Sequence, residues 1–152
     1  MKYGVLGLAV AAAWYGVASP AHSLRGVSGG AQQDRWNWSG RVSPGKAIAI
    51  YGVNGDVTAE PSTSDQVEVT ANKHARRSDP DDVRLVVVEH GGGVTICAVY
   101  PNARGRTTSC DAEGLHNSNT NNNDVEVDFT VRVPRAVNFD GNTVNGGVEA
   151  AN

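Results

Sequence analysis

From residue 36 onward, apolar and polar positions alternate with a period of two in several separate stretches, the spacing of a strand with one buried face. Trp36-Asn37-Trp38-Ser39-Gly40-Arg41-Val42 sets Trp36, Trp38 and Val42 on one side. That side is either a strand capping the core or an aromatic platform for a ligand. Ser43-Pro44-Gly45 predicts a turn, and residues 47–51 (Ala-Ile-Ala-Ile-Tyr) predict the next strand. Residues 66–73 place Val67, Val69 and Ala71 inward and Glu68, Thr70 and Asn72 outward. Residues 125–133 form the strongest pattern, with apolar residues at every odd position and polar ones at every even position until Pro134.

Two stretches depart from alternation. Residues 82–90 carry Val83, Leu85, Val86, Val87 and Val88, a nearly continuous apolar run that predicts a strand covered on both faces. Gly91-Gly92-Gly93 then turns the chain into Val94-Thr95-Ile96-Cys97-Ala98-Val99-Tyr100, so the pair reads as a hairpin at the centre of a sheet. A phosphate cradle needs a helix start behind the glycines, and a strand follows instead. Residues 101–124 have no hydrophobic period and read as one long exposed loop, the place to look for a binding surface built from Arg104, Arg106, His116 and Asn121.

One stretch occurs twice. Val53-Asn54-Gly55-Asp56-Val57-Thr58-Ala59 returns as Val144-Asn145-Gly146-Gly147-Val148-Glu149-Ala150. Asn-Gly tolerates positive φ, and between β-branched runs it predicts a repeated tight turn, with Asn54, Gly55, Asn145 and Gly146 at its tips. The repeat argues for β-architecture built from similar units, because it contains no nucleophile, base or soft metal ligand. Asn152 falls in mid-pattern, so the expectation is an incomplete repeat array or an exposed edge strand.

Composition sharpens this picture. Eighteen glycines and 6% aromatic residues in 152 suit many short strands joined by turns, within one all-β domain at 36–152. Residues 1–21 hold Lys2 as their sole charge, an apolar Ala/Gly/Val-rich middle and the small residues Ser19-Pro20-Ala21. That block reads as a secretory signal peptide cleaved after Ala21, and it is short for a bilayer anchor. Residues 22–35 read as a flexible leader. Without Lys2 there remain twelve basic and sixteen acidic residues, a formal net charge of −4 with no basic block, which argues against a nucleic-acid partner. Export points to the periplasm, the cell surface or the medium.

Export also bears on the chemistry. Cys97 and Cys110 in an oxidising compartment predict a disulfide closing a short loop, worth roughly 3 kcal/mol at best; a redox or metal pair is the alternative, without Cys-x-x-Cys spacing to support it. His22, His74, His90 and His116 have no metal-ligand spacing, and no Gly-x-Ser-x-Gly elbow is present. Asp81, Asp82, Glu126 and Asp128 read as outward residues of turns and strands, although they are the carboxylates an enzyme acting on glycan would use. No cofactor and no metal are expected.

The ordered motifs carry a resemblance. Trp-x-Trp-x-Gly-x-Val, the Pro-Gly turn, Ile-x-Ile-x-Gly-Val-Asn-Gly-Asp-Val, Val-x-Val-x-Ala, Gly-Gly-Val-x-Ile-Cys-x-Val-Tyr-Pro, Val-x-Val-x-Phe-x-Val-x-Val-Pro and the returning Val-Asn-Gly-x-Val together resemble the DUF4097, head-GIN-like adhesin family of bacterial exported proteins, over residues 36–152. The resemblance implies a β-roll or β-solenoid with recurring Asn-Gly segments and no catalytic residues. The expectation is a non-enzymatic cell-envelope scaffold binding a protein or surface glycan. The alternative is a periplasmic accessory or signalling module for a membrane protein.

Overall fold

In a computed structural model, residues 32–101, 108–118, 120 and 122–151 are described. They form strands β1 (Gln32–Gly40), β2 (Ala47–Tyr51), β3 (Val57–Pro61), β4 (Val67–Ala75), β5 (Arg84–His90), β6 (Gly93–Val99), β7 (Ser109–Asp111), β8 (Gly114–His116), β9 (Glu126–Val133), β10 (Asn138–Asn142) and β11 (Val148–Ala150). A single 3-10 turn, Pro80–Asp82, precedes β5. The signal peptide and most of the leader read from the sequence lie outside the described residues. No helix among the described residues is long and apolar enough to cross a membrane.

The strands make one sheet in the order β1-β4-β9-β3-β11, a second in the order β10-β2-β6-β5, and the small pair β7-β8. The two larger sheets share a core. Ile48 and Ile50 of β2, Ile96 of β6, Val67 and Val69 of β4, and Val127, Phe129 and Val131 of β9 are all buried in it. Alternation along each strand explains which residues these are, and each such side chain contributes roughly 1.5–3 kcal/mol by leaving water.

The chain passes from the second sheet to the first three times in the same direction, as β2–β3, β6–β9 and β10–β11. Each passage is a rung, and the rungs stack in parallel. β10 lies on β2 with Asn138 opposite Ala47, β11 lies on β3 with Val148 opposite Val57, and Asn145 bridges Asn54. The separation is 91 residues for Asn54 and Asn145, and it holds for every pair between these two rungs. β4 and β5 run antiparallel to β9 and β6 at the far end of the stack, and β1 lies antiparallel to β4.

Three expectations change. The Asn-Gly segments expected as tight turns are corners that carry the chain between sheets, and of their four tip residues only Gly55 has positive φ, at 109°. The β5–β6 hairpin forms through Gly91-Gly92, but it is not central, because β5 is the edge of its sheet and its four consecutive apolar residues are half-buried. β7 of the small hairpin packs beside β5, with Cys110 near the Val86 carbonyl, a cover that periodicity cannot separate from a second sheet. Residues 101–124 are not structureless: β7 and β8 form a hairpin, with Leu115 packed against the core and Thr95 Oγ1 hydrogen-bonded to the Ala112 carbonyl at 3.5 Å. Trp36 and Trp38 cap the core as half-buried residues, and Val42 is buried.

Candidate functional site at the open end of the stack

The corners stack as tightly as the strands. The Gly55 amide donates to the Asn145 carbonyl at 3.1 Å and the Asn145 amide to the Val53 carbonyl at 2.7 Å, so backbone pairing continues around the bend. Side chains repeat the pattern one level out. Asn145 Nδ2 donates to Asn54 Oδ1 at 3.0 Å, and Asn54 Nδ2 donates to the Val125 carbonyl at 3.4 Å. Val125 carries the column into the innermost rung, β6–β9, where the Tyr100 hydroxyl also donates to its carbonyl at 2.8 Å and closes the inserted segment. Burial raises the pKa of that hydroxyl, as expected for a group whose charged form would be desolvated.

Glycine is required here by distance. A Cβ on Gly55 would fall onto the Val127 carbonyl, and one on Gly146 onto the Gly55 carbonyl. The repeat is therefore a stacking device in which each rung lies backbone to backbone on the one before. A carboxylate ladder runs beside it. Asp128 Oδ1 accepts from the Asp56 amide at 2.9 Å, and Asp56 Oδ1 accepts from the Gly147 amide at 2.7 Å. The third rung has glycine at this position, so the ladder stops there.

Among the described residues, β10–β11 is the outermost rung. β11 pairs with β3 on one side alone, β10 with β2 on one side alone, and all three residues of β11 are exposed. Val144 and Val148 are the exposed large hydrophobics among the described residues, at 68% and 44%. Their counterparts one rung inward, Val53 and Val57, are 4% and 0% exposed. The apolar column thus runs from the core to the outermost of the described rungs.

The other sequence-derived residues are scattered. Cys97 and Cys110 are joined in the disulfide that their even count predicts, and it ties the β7–β8 hairpin to buried β6. Arg104, Arg106 and Asn121 lie outside the described residues. His116 is in β8, with Nε2 3.0 Å from Asp111 Oδ1, and with Asp111 and Glu113 it forms a group whose potential metal-ligand atoms lie within 4.8 Å of one another. Sequence spacing of histidines alone missed this group, because the hairpin that gathers it was itself missed. Asp124 accepts from the amides of Ser78 and Arg77 at 2.8 and 3.2 Å; these bonds, led by Ser78, lower its carboxyl to about 2. Glu126 and Asp128 flank His74, whose Nε2 lies 3.0 Å from Glu126.

Lys73 was not anticipated as an interior residue. The strand period directs it inward after Ala71, and its ammonium is satisfied by Asp34 at 2.7 Å, Asp81 at 3.6 Å and the carbonyls of Pro80 and Val83 at 3.1 and 3.4 Å. That hydrogen bond holds the Asp34 carboxyl below its ordinary range. With all its partners within the chain, Lys73 fastens β1 and the 3-10 turn onto β4. No protein-family model, curated protein or solved structure matches the chain.

Proposed function

We propose that this protein is an exported, non-enzymatic cell-envelope scaffold of the DUF4097 adhesin-like kind, a solenoid of stacked rungs that binds a macromolecular partner. The observation that carries the reading is the backbone-to-backbone stacking of the two Val-Asn-Gly corners, Asn145 on Asn54, within an all-β chain. The disulfide and the apolar block at residues 1–21 support export.

The test places a photo-crosslinking residue at Glu68 on an exposed strand face and at Glu113 on the exposed hairpin turn, in cells expressing the full chain. Adducts with an envelope protein or glycan are expected, and none from either position would overturn the binding reading. The second reading is a periplasmic accessory module for a membrane protein. Protease treatment of intact cells separates the two: loss of a carboxy-terminal tag indicates an outward-facing protein, and survival until lysis indicates the periplasmic one.

A further inference from the structure

We infer that the β7–β8 hairpin is a binding site for a divalent transition-metal ion of the zinc type, held by Asp111, Glu113 and His116. One ligand atom from each of these side chains lies within 4.8 Å of the other two. His116 Nε2 is already 3.0 Å from Asp111 Oδ1. Two donors at right angles about an ion that is about 2.1 Å from each are separated by about the same distance. All three ligands fall within the six residues 111–116, so an ion joining them closes little chain.

Strand pairing produces the cluster. Ser109 lies opposite His116, Cys110 opposite Leu115 and Asp111 opposite Gly114. Cys110 and Leu115 share one face, which the disulfide and the core hold down. Asp111 and His116 therefore share the other as diagonal neighbours, and Glu113 stands in the turn between the strands. The turn is fixed as well. Gly114 has φ 121°, a Cβ on it would strike the Tyr51 ring, and Thr95 Oγ1 donates to the Ala112 carbonyl. The backbone carrying the ligands is thus positioned before any ion arrives, which lowers the ordering cost of binding.

The charges call for a cation. Contacts with His116 and with the Glu113 amide, at 3.0 and 2.8 Å, keep Asp111 ionised. Glu113 brings a second carboxylate toward the same point, and its side chain has no hydrogen-bond or ion-pair partner among the described residues. A simple hairpin lock would need the Asp111–His116 pair and nothing from Glu113. The imidazole nitrogen among the oxygens favours zinc-like ions over calcium or magnesium, which take oxygen ligands. Three protein ligands leave at least one position for water or for a group on a partner.

His74 offers the nearest competing arrangement, and it fits less well. Its Nε2 is 3.0 Å from Glu126 and its Nδ1 is 3.8 Å from Asp128, so the two carboxylates approach different ring nitrogens and one ion cannot join all three groups. His74→Gln is therefore the control.

The probe is zinc chloride, titrated by calorimetry into the full disulfide-bonded chain after treatment with a chelator, with the histidine ring signals followed by NMR. One ion per chain is expected, with a Kd on the order of 10 μM or tighter, and with the His116 ring signals moving while those of His74 and His90 stay. His116→Gln and Asp111→Asn should each weaken binding about tenfold or more, Glu113→Gln about threefold or more, and His74→Gln should leave it unchanged. Calcium should bind about thirtyfold more weakly or worse. The substituted side chains are exposed or half-buried, so the variants should keep the wild-type melting profile by circular dichroism, and the ring signals locate the ion in the unaltered chain in any case.

No saturable binding by about 1 mM zinc would overturn the proposal. So would zinc binding that persists in His116→Gln with the wild-type His116 signals unmoved, which would mark an adventitious ion only. Calcium binding as tightly as zinc would overturn the assignment to a transition metal and the role of His116 with it.

Discussion

The rungs β2–β3 and β10–β11 share a corner sequence, a direction and a register, and they differ in one respect, their neighbours. β2 and β3 each have a strand on both sides, and Val53 and Val57 are buried; β10 and β11 have one, and Val144 and Val148 are exposed. The same residue types at equivalent positions therefore have different energetic roles, because apolar burial depends on what covers a side chain and not on its identity. Composition responds to this in part. Ile50 in the inner rung is matched by Gly141 in the outer one, and Asp56 by Gly147, so the outer rung carries fewer groups that need a cover. Val144 and Val148 are the exceptions.

The comparison breaks most clearly under paired aspartate substitutions. Val57→Asp buries an unpaired carboxylate in the core and should cost on the order of 4 kcal/mol or unfold the domain, read by urea denaturation; Val148→Asp should stay within about 0.5 kcal/mol of wild type. A similar loss for both would mean that the outer rung is covered in solution. Next in size is the corner. Gly55→Ala meets both a positive φ and the Val127 carbonyl and should cost on the order of 2 kcal/mol or more in the same denaturation assay, whereas Gly147→Ala should be close to neutral.

The asparagine column tests a smaller difference. Asn54 bonds to two partners and Asn145 to one, so Asn54→Ala should lose about 1 kcal/mol and Asn145→Ala about half of that or less in chemical denaturation. If Asn145→Ala proves the more costly, the column is not organised from the core outward. The smallest effect is on pH dependence. The Asp124 carboxyl is lowered from 3.8 to about 2 in the folded chain, so its contribution is present above 3.8 and is lost as pH falls toward 2. Melting temperatures measured across that window should fall less steeply for Asp124→Asn than for wild type; an unchanged slope would show that its bonds to Ser78 and Arg77 do not persist in solution.

Much of this protein was legible before any coordinates. Period-two alternation placed Val67, Val69 and Ala71 of β4 and Val127, Phe129 and Val131 of β9 inward, where they are buried, because the pleat sends successive side chains to opposite sides regardless of the partner strand. Cysteine parity together with an export-type amino terminus anticipated the Cys97–Cys110 bond. The repeat of Val-Asn-Gly pointed to β-architecture, and the described residues are all-β, since β-branched runs around Asn-Gly favour extended segments over helix.

What the sequence did not contain was the identity of neighbours. The apolar run of β5 could not report that β5 is an edge, nor could four scattered histidines report that His116 meets Asp111 and Glu113 across a hairpin of weak hydrophobic pattern. The inward direction of Lys73 followed from its strand, but its acceptors come from β1 and the 3-10 turn, which only the folded chain brings to it. The Asn-Gly corners are the clearest case. Their sequence specified backbone freedom, and only the stacking of one rung on another decided that the glycine is needed for close approach, because contact between residues 91 apart is set by tertiary register and not by local propensity.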